Sequence, residues 1–215
     1  MTQDVDLLVI AKAPVPGLVK TRLCPPCSFE EAARLAEAAL IDTLKAVSTT
    51  PAARRLLVLD GRVGEWLPPG LEVARQVGGS LDRRLAGAFA LVRGPAFLVG
   101  MDTPQLDARL LSAAVRQMMW PGIDAAIGHT YDGGYWGIGL KHPDPEVFAG
   151  VPMSTPYTAR AQLYRLRSRG LRVAMLPPLV DVDRFADAQR VAAGIPASHF
   201  ASVCSSVRAA HRMVS

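Results

Sequence analysis

The sequence predicts an α/β protein, a three-layer αβα sandwich on a mostly parallel sheet. Short apolar runs of strand length recur along the whole chain, and they alternate with segments whose apolar residues fall at three-and-four spacing. Polar, proline- or glycine-rich loops separate the two at short intervals, as βαβ units require. Half of the 215 residues are hydrophobic and a fifth are charged, which is material for one sizeable core and not the composition of a disordered chain. The length suits one domain, set at residues 1–194, with 195–215 a C-terminal helix or tail.

The first strand is Asp4 to Ala11, wholly apolar from Leu7 onward as a strand covered on both faces requires. Lys12-Ala13-Pro14-Val15-Pro16-Gly17 ends it, because two prolines remove backbone donors and the glycine admits dihedrals closed to other residues. Ser28 with Glu31 fits a capping box. The apolar stripe Ala32, Leu35, Ala36, Ala39, Leu40, Thr43, Leu44 and Val47 then predicts a helix to about Ser48. Arg55 to Asp60 reads as a strand and Leu71 to Gln76 as a weaker one, and Gly78-Gly79-Ser80 leads into a helix over Leu81 to Val92. Pro95 to Gly100 is a buried strand, Gln105 to Met119 a helix, and Ile123 to Gly128 a strand. Tyr135 to Leu140 follows as a strand, then a helix over about Pro156 to Arg169 and a strand over Leu171 to Leu176.

Several function classes fall away. Twenty-four Lys and Arg against 19 Asp and Glu suit an anionic ligand, but the basic residues form no run and are not interleaved with aromatics, so no nucleic-acid partner is expected. No apolar run approaches the roughly 18 residues of a membrane span. The acidic start Met-Thr-Gln-Asp-Val-Asp lacks the features of a secretory signal, so the expected location is the cytoplasm, with no membrane partner. Whether the chain pairs as a homodimer is left open. Cys24-Pro25-Pro26-Cys27 has the spacing of a thiol redox site or of half a zinc site. Cys204 stands alone and His129, His142, His199 and His211 show no paired spacing, so the cysteines read as incidental thiols.

Ligands of open α/β sheets bind beyond the carboxyl ends of the strands, which directs attention to four loops. After the first strand, Lys20 and Arg22 flank Thr21 and offer two cations and a hydroxyl to a diphosphate; the alternative is solvated loop charge. Gly17-Leu18-Val19-Lys20-Thr21 resembles half of a P-loop, but Val19 before the lysine and Pro14 break that pattern. Asp102, just past Phe97-Leu98-Val99-Gly100, is placed either to hold a hard cation or to cap a helix beginning near Pro104. Asp181 and Asp183, two apart, either share a cation or are neutralised by Arg184 at a helix start. Gly133-Gly134, with Asp132 and Tyr135 beside it, permits close approach of a ligand or simply a tight turn. Trp120 and Trp136 read as core or wall residues.

Four segments in this order carry a resemblance: Ala11-Lys12-Ala13-Pro14-Val15-Pro16-Gly17 with Lys20-Thr21-Arg22-Leu23; Gly100-Met101-Asp102-Thr103-Pro104; Asp132-Gly133-Gly134-Tyr135 through Gly139; and Asp181-Val182-Asp183 with Asp187. Over roughly residues 6 to 190 the chain resembles small bacterial transferases of the GT-A, Rossmann-like, nucleotide-diphospho-sugar transferase fold. The nearest group comprises uncharacterised glycosyltransferases, some linked to arsenosugar biosynthesis, and is similar to phospholactate guanylyltransferases and molybdenum-cofactor nucleotidyltransferases.

The resemblance implies that Ala11, Lys12, Ala13, Pro14, Gly17, Lys20, Arg22 and Gly79 bind the nucleotide, and that Asp102, Asp181 and Asp183 hold Mg²⁺ or Mn²⁺. It implies that Asp132, Gly133, Gly134, Tyr135, Ser154 and Thr155 face the acceptor, with Asp102, Lys20 and Arg22 at the chemistry. Two departures touch the pockets: where the family loop before the second helix often carries a further glycine and an acidic residue, this chain has Gly79-Ser80-Leu81-Asp82-Arg83-Arg84, and Met153 stands where an aromatic is usual. The implied activity is metal-dependent transfer of a glycosyl group from a nucleotide sugar to a small acceptor. The alternatives are nucleotidyl transfer from a nucleoside triphosphate to a small phosphorylated acceptor, guanylyl- or cytidylyltransferase-like, and a nucleotide-binding module without turnover. Retention of all three carboxylates speaks against the last.

Overall fold

β1 (Asp6–Lys12) lies inside a sheet, paired in parallel with β2 (Arg55–Asp60) on one side and with β4 (Ala96–Gly100) on the other. The computed structural model describes residues 4–214. β3 (Glu72–Arg75) extends the sheet beyond β2, again in parallel. β6 (Tyr135–Leu140) runs antiparallel between β4 and β5 (Ala125–His129), and β7 (Val173–Met175) pairs in parallel with β5 at the far edge. Among the described residues the order is β3-β2-β1-β4-β6-β5-β7, an α/β sheet parallel except at β6.

Strand alternation divides the apolar residues between two cores. Leu7, Val9, Leu57, Leu59, Phe97 and Val99 face one side, where α1 (Phe29–Thr49) and α3 (Ala108–Met119) cover them. Leu8, Leu56, Val58 and Leu98 face the other, against α2 (Leu81–Phe89) and Leu166 of α4 (Thr158–Ser168). Helices on both faces make the three layers and explain why β1, β2 and β4 read as unbroken apolar runs. α1 starts as expected: Ser28 Oγ accepts from the Glu31 N–H at 3.2 Å, and the Ser28 N–H donates back to the Glu31 carboxylate at 2.9 Å. In β6, Cβ atoms at Gly137 or Gly139 would strike the Phe97 ring, so two glycines make room for one aromatic. Trp136 lies over Gly128 in the same way, is buried, and donates from Nε1 to the Pro177 carbonyl at 2.9 Å.

Two expectations are corrected. The helix read from Gln105 begins at Ala108, because Leu106 closes a turn onto the Thr103 carbonyl and Asp107 accepts from the Leu110 N–H at 2.7 Å. The cap is therefore Asp107, which leaves Asp102 free of that role. Trp120 is exposed, neither core nor wall, because it stands just past the C-terminal end of α3.

The C-terminal segment is helical: α5 (Phe185–Gly194), then α6 (His199–Val214). Asp42 of α1 accepts from the His199 and Phe200 N–H groups at 3.2 and 2.8 Å, and so satisfies two free donors at the start of α6. Phe200, Cys204 and Val207 join Leu35, Leu23, Cys27 and Val182 in a third core. Met1-Thr2-Gln3 of the acidic start, and Ser215 of the tail, lie outside the described residues. No described helix is long and apolar enough to cross a membrane.

The cysteines are free thiols, Cys27 and Cys204 inside the third core and Cys24 at its edge, donating to the Ser28 carbonyl at 3.3 Å. Burial, with Glu31 adding to it, pushes the Cys27 thiol up to about 12. Iodoacetamide at pH 8 is expected to label Cys24 in the native protein well before Cys27 or Cys204, read by peptide mass spectrometry, and all three once denatured. Prompt native labelling of Cys27 would contradict the burial.

Candidate active site

The loops after β1 and β4, the turn before β6 and the segment before α5 open onto one cleft of about 870 Å³. Antiparallel β6 contributes its beginning: His129 at the end of β5 pairs with Tyr135, so the turn before β6 is level with the ends of the parallel strands. That is why residues from four distant segments meet.

The loop after β1 turns on Lys20, whose backbone is left-handed at φ 49°, ψ 33° before a short 3-10 turn over Thr21–Leu23. This directs the side chain inward, where it is only 10 % exposed. Nζ donates to Asp102 Oδ1 at 2.8 Å and to the Val182 carbonyl. The Val182 N–H donates to the Asp102 carbonyl at 3.0 Å, so the late segment is stitched along the loop after β4. Val182 itself points into the third core, and Asp181 and Asp183 line the cleft on either side of it. Arg22 Nη1 donates to Asp183 Oδ2 at 2.7 Å.

Charge is concentrated here. Burial works to strip the proton from Lys20, but Asp102, Asp181 and Asp183 outweigh it and raise the ammonium above its usual value. Asp181 is raised too, chiefly by burial and then by Asp102, Asp132 and Asp183, against the pull of Lys20. Every donor in this group is a hard oxygen, the set that suits Mg²⁺ or Mn²⁺. The carboxylates do not form a closed cage as they stand. Asp102 is turned to Lys20 and Asp183 to Arg22, and among the described residues no three carboxylate, imidazole or thiol groups are placed to hold one ion.

The family model described as "Uncharacterized protein conserved in bacteria (DUF2064)" matches residues 41–155, more than half of the chain. The chain belongs to this family. The matched span carries Asp102, the Asp132–Tyr135 turn and Ser154-Thr155, and leaves Lys20, Arg22, Asp181 and Asp183 outside it. No curated protein matches the chain. Among solved structures, it is similar to a protein of Desulfovibrio desulfuricans G20, provisionally named a nucleotide-diphospho-sugar transferase, at 26 % identity and a TM-score of 0.85 over 99 % of this chain and 98 % of that one. A cytidylyltransferase from Leptospira borgpetersenii matches at 12 % identity and a TM-score of 0.58, over 98 % and 96 %. Rv0371c of Mycobacterium tuberculosis H37Rv, solved with manganese, matches at 17 % and 0.51, over 87 % and 98 %. The fold is that of the nucleotide-diphospho-sugar transferases, and the likeness to the Desulfovibrio protein makes this DUF2064 member a transferase-like enzyme.

Of the residues singled out in the sequence, Ala11, Lys12, Lys20, Arg22, Asp102, Asp181 and Asp183 line the cleft, as do Asp132, Gly134, Tyr135, Ser154 and Thr155. Ala13, Pro14, Gly17, Gly79 and Gly133 do not line it: Ala13 belongs to the first core, and Gly79 offers its carbonyl to Arg84 Nε at 2.9 Å. Gln76 and Arg84 were missed and line it. Gln76 ends the weak third strand and donates from Nε2 to the carbonyls of Ala11, at 2.6 Å, and Val58, at 3.0 Å. It obeys the strand-end rule that found the other loops.

Opposite, Asp132 Oδ1 accepts from Thr130 Oγ1 and from the Gly134 N–H, so this carboxylate shapes its own turn. Gly133, at φ +95°, packs so closely on the Pro156 backbone that a Cβ would collide with its carbonyl, and its own carbonyl accepts from the Ala159 N–H at 2.8 Å. The glycine thus fixes the turn against the Ser154-Thr155 loop, where Ser154 is itself left-handed at φ 57°. Gly133→Ala, strained in both dihedral and space, is expected to cost about 2 kcal/mol or more, roughly 4–8 °C in melting temperature. Thermal unfolding without ligand checks it.

Proposed function

We propose that this DUF2064 protein transfers a glycosyl group from a nucleotide sugar to a small acceptor, with Mg²⁺ or Mn²⁺ held by Asp102, Asp181 and Asp183. The observation that carries the reading is the convergence of these carboxylates with Lys20 and Arg22 at the strand ends of a cleft large enough for a nucleotide sugar beside an acceptor. In the reaction the bond from the sugar carbon to the β-phosphate oxygen breaks, the nucleoside diphosphate leaves, and an acceptor oxygen forms the new bond and loses its proton. Lys20 and Arg22 offset the charge that develops on the departing diphosphate. The bound cation supplies further charge stabilisation to the same oxygens. Ala11 and Lys12 border the base side, together with Gln76. Asp132, Tyr135, Ser154 and Thr155 form the acceptor wall.

The likeness to a cytidylyltransferase favours a second reading, nucleotidyl transfer from a nucleoside triphosphate to a small phosphorylated acceptor. Carboxylates and cations serve both, and the leaving groups differ: nucleoside diphosphate in one, pyrophosphate in the other. Incubating the protein with Mn²⁺ and panels of nucleotide sugars or nucleoside triphosphates, each with candidate alcohol and phosphate acceptors, separates the readings by which product accumulates. Nucleoside diphosphate release supports the first, pyrophosphate release the second, and neither product from any panel counts against both.

In thermal shift, Mn²⁺ with nucleotide is expected to raise the melting temperature of the wild type, and Asp102→Asn to lose most of that rise while remaining folded. An undiminished rise in Asp102→Asn would remove Asp102 from the metal site.

A further inference from the structure

We propose that Lys20 is a resident counter-ion for the carboxylate cluster, which a divalent cation must displace from Asp102, so that metal and nucleotide diphosphate bind together and neither binds well alone. The inference rests on the metal reading above and goes beyond it in assigning Lys20 two successive partners.

The geometry is specific. The ammonium is nearly buried and salt-bridged to the Asp102 carboxylate, and its second partner is the Val182 carbonyl between Asp181 and Asp183. It therefore sits among the three side chains read as metal ligands. The left-handed backbone at Lys20, a conformation that L residues seldom adopt, is what turns the side chain inward. Arg22 repeats the arrangement at Asp183 from the cleft rim. The carboxylates consequently face two protein cations and form no ready metal cage among the described residues.

A dication entering this group must share Asp102 with an ammonium, and two cations on one carboxylate repel, here with the ammonium itself nearly buried. With Asp181 and Asp183 drawn to the same ion, the ammonium has no uncommitted anion to move to until a diphosphate arrives. Phosphate oxygens then offer it acceptors as strong as the carboxylate it leaves, and Asp102 is released to the metal. Metal and diphosphate are thereby coupled through one side chain, and the coupling is reciprocal.

The test measures Mn²⁺ binding by calorimetry or by loss of the free-ion electron paramagnetic resonance signal, in wild type and Lys20→Met, with and without inorganic pyrophosphate. The expected result is that wild type binds Mn²⁺ about tenfold or more tightly with pyrophosphate than without. Lys20→Met should bind Mn²⁺ alone at least about tenfold more tightly than wild type does, and gain much less from pyrophosphate. Equal Mn²⁺ affinity in wild type with and without pyrophosphate overturns the proposal and does not depend on how the variant folds. Mn²⁺ binding alone that is unchanged or weaker in folded Lys20→Met also overturns it and leaves the metal reading intact. No Mn²⁺ binding to either protein, with or without pyrophosphate, overturns the metal reading itself and this inference with it.

Discussion

The site depends on one short stretch of backbone and charge: Val182 donates its N–H to the Asp102 carbonyl, and Lys20 donates its ammonium to both the Asp102 side chain and the Val182 carbonyl. These contacts tie together the loop after β1, the loop after β4 and the segment before α5. Lys20 and Val182 are 162 positions apart in sequence, so nothing local brings them together. What does is the third core, in which Leu23, one residue past Arg22, and Val182, between the two aspartates, pack with Phe200 and Val207. Burial of these apolar side chains opposes the cost of crowding carboxylates in a partly desolvated place.

Much of this was legible in the sequence because the relevant rules are local. Leu7–Ala11 and Phe97–Gly100 read as buried strands because they are apolar at every position, and Ser28 with Glu31 marked the start of α1. Looking just past the strand ends found Lys20, Asp102 and the Asp132 turn. Gln76 escaped although the strand was read to end on it, because that strand is an exposed edge with little apolar pattern and drew no attention to its end. The start of α3 was misplaced for the same kind of reason. Gln105 and Leu106 suit a helix, and only the turn onto Thr103 and the cap at Asp107 keep them out of one.

Other features depend on contacts that no spacing in the sequence encodes. Gly133 could be read as space for a ligand or as a turn, and the space is in fact taken by the Pro156 backbone, from a loop more than twenty residues away. Asp181 and Asp183 read either as a pair sharing one cation or as neutralised by Arg184 at a helix start, and in the structure it is Arg22 that engages Asp183, while Asp181 is surrounded by other carboxylates. The residue types were informative. Their partners were not, because partner choice is settled by tertiary packing.

The cleft lies where three cores meet, and each supports a different wall. Val19, Ala11 and Met101 belong to the first core and hold the loop after β1 and the loop that bears Asp102. Leu85 and Leu98 belong to the second, on which Tyr135 and Met153 also pack, so the wall that carries these two stands on the opposite face of the sheet. Leu23 and Val182 belong to the third, which carries the charged side chains. A close-packed core resists deformation, so each wall is stiff on its own foundation. The polar contacts between walls are few, and Lys20 makes two of them. The least constrained part of the site is therefore the set of side chains at the junction, whose hydrogen bonds can be exchanged without disturbing any core. Strand-end loops on separate cores thus set the walls of the cleft on either side of a charged seam.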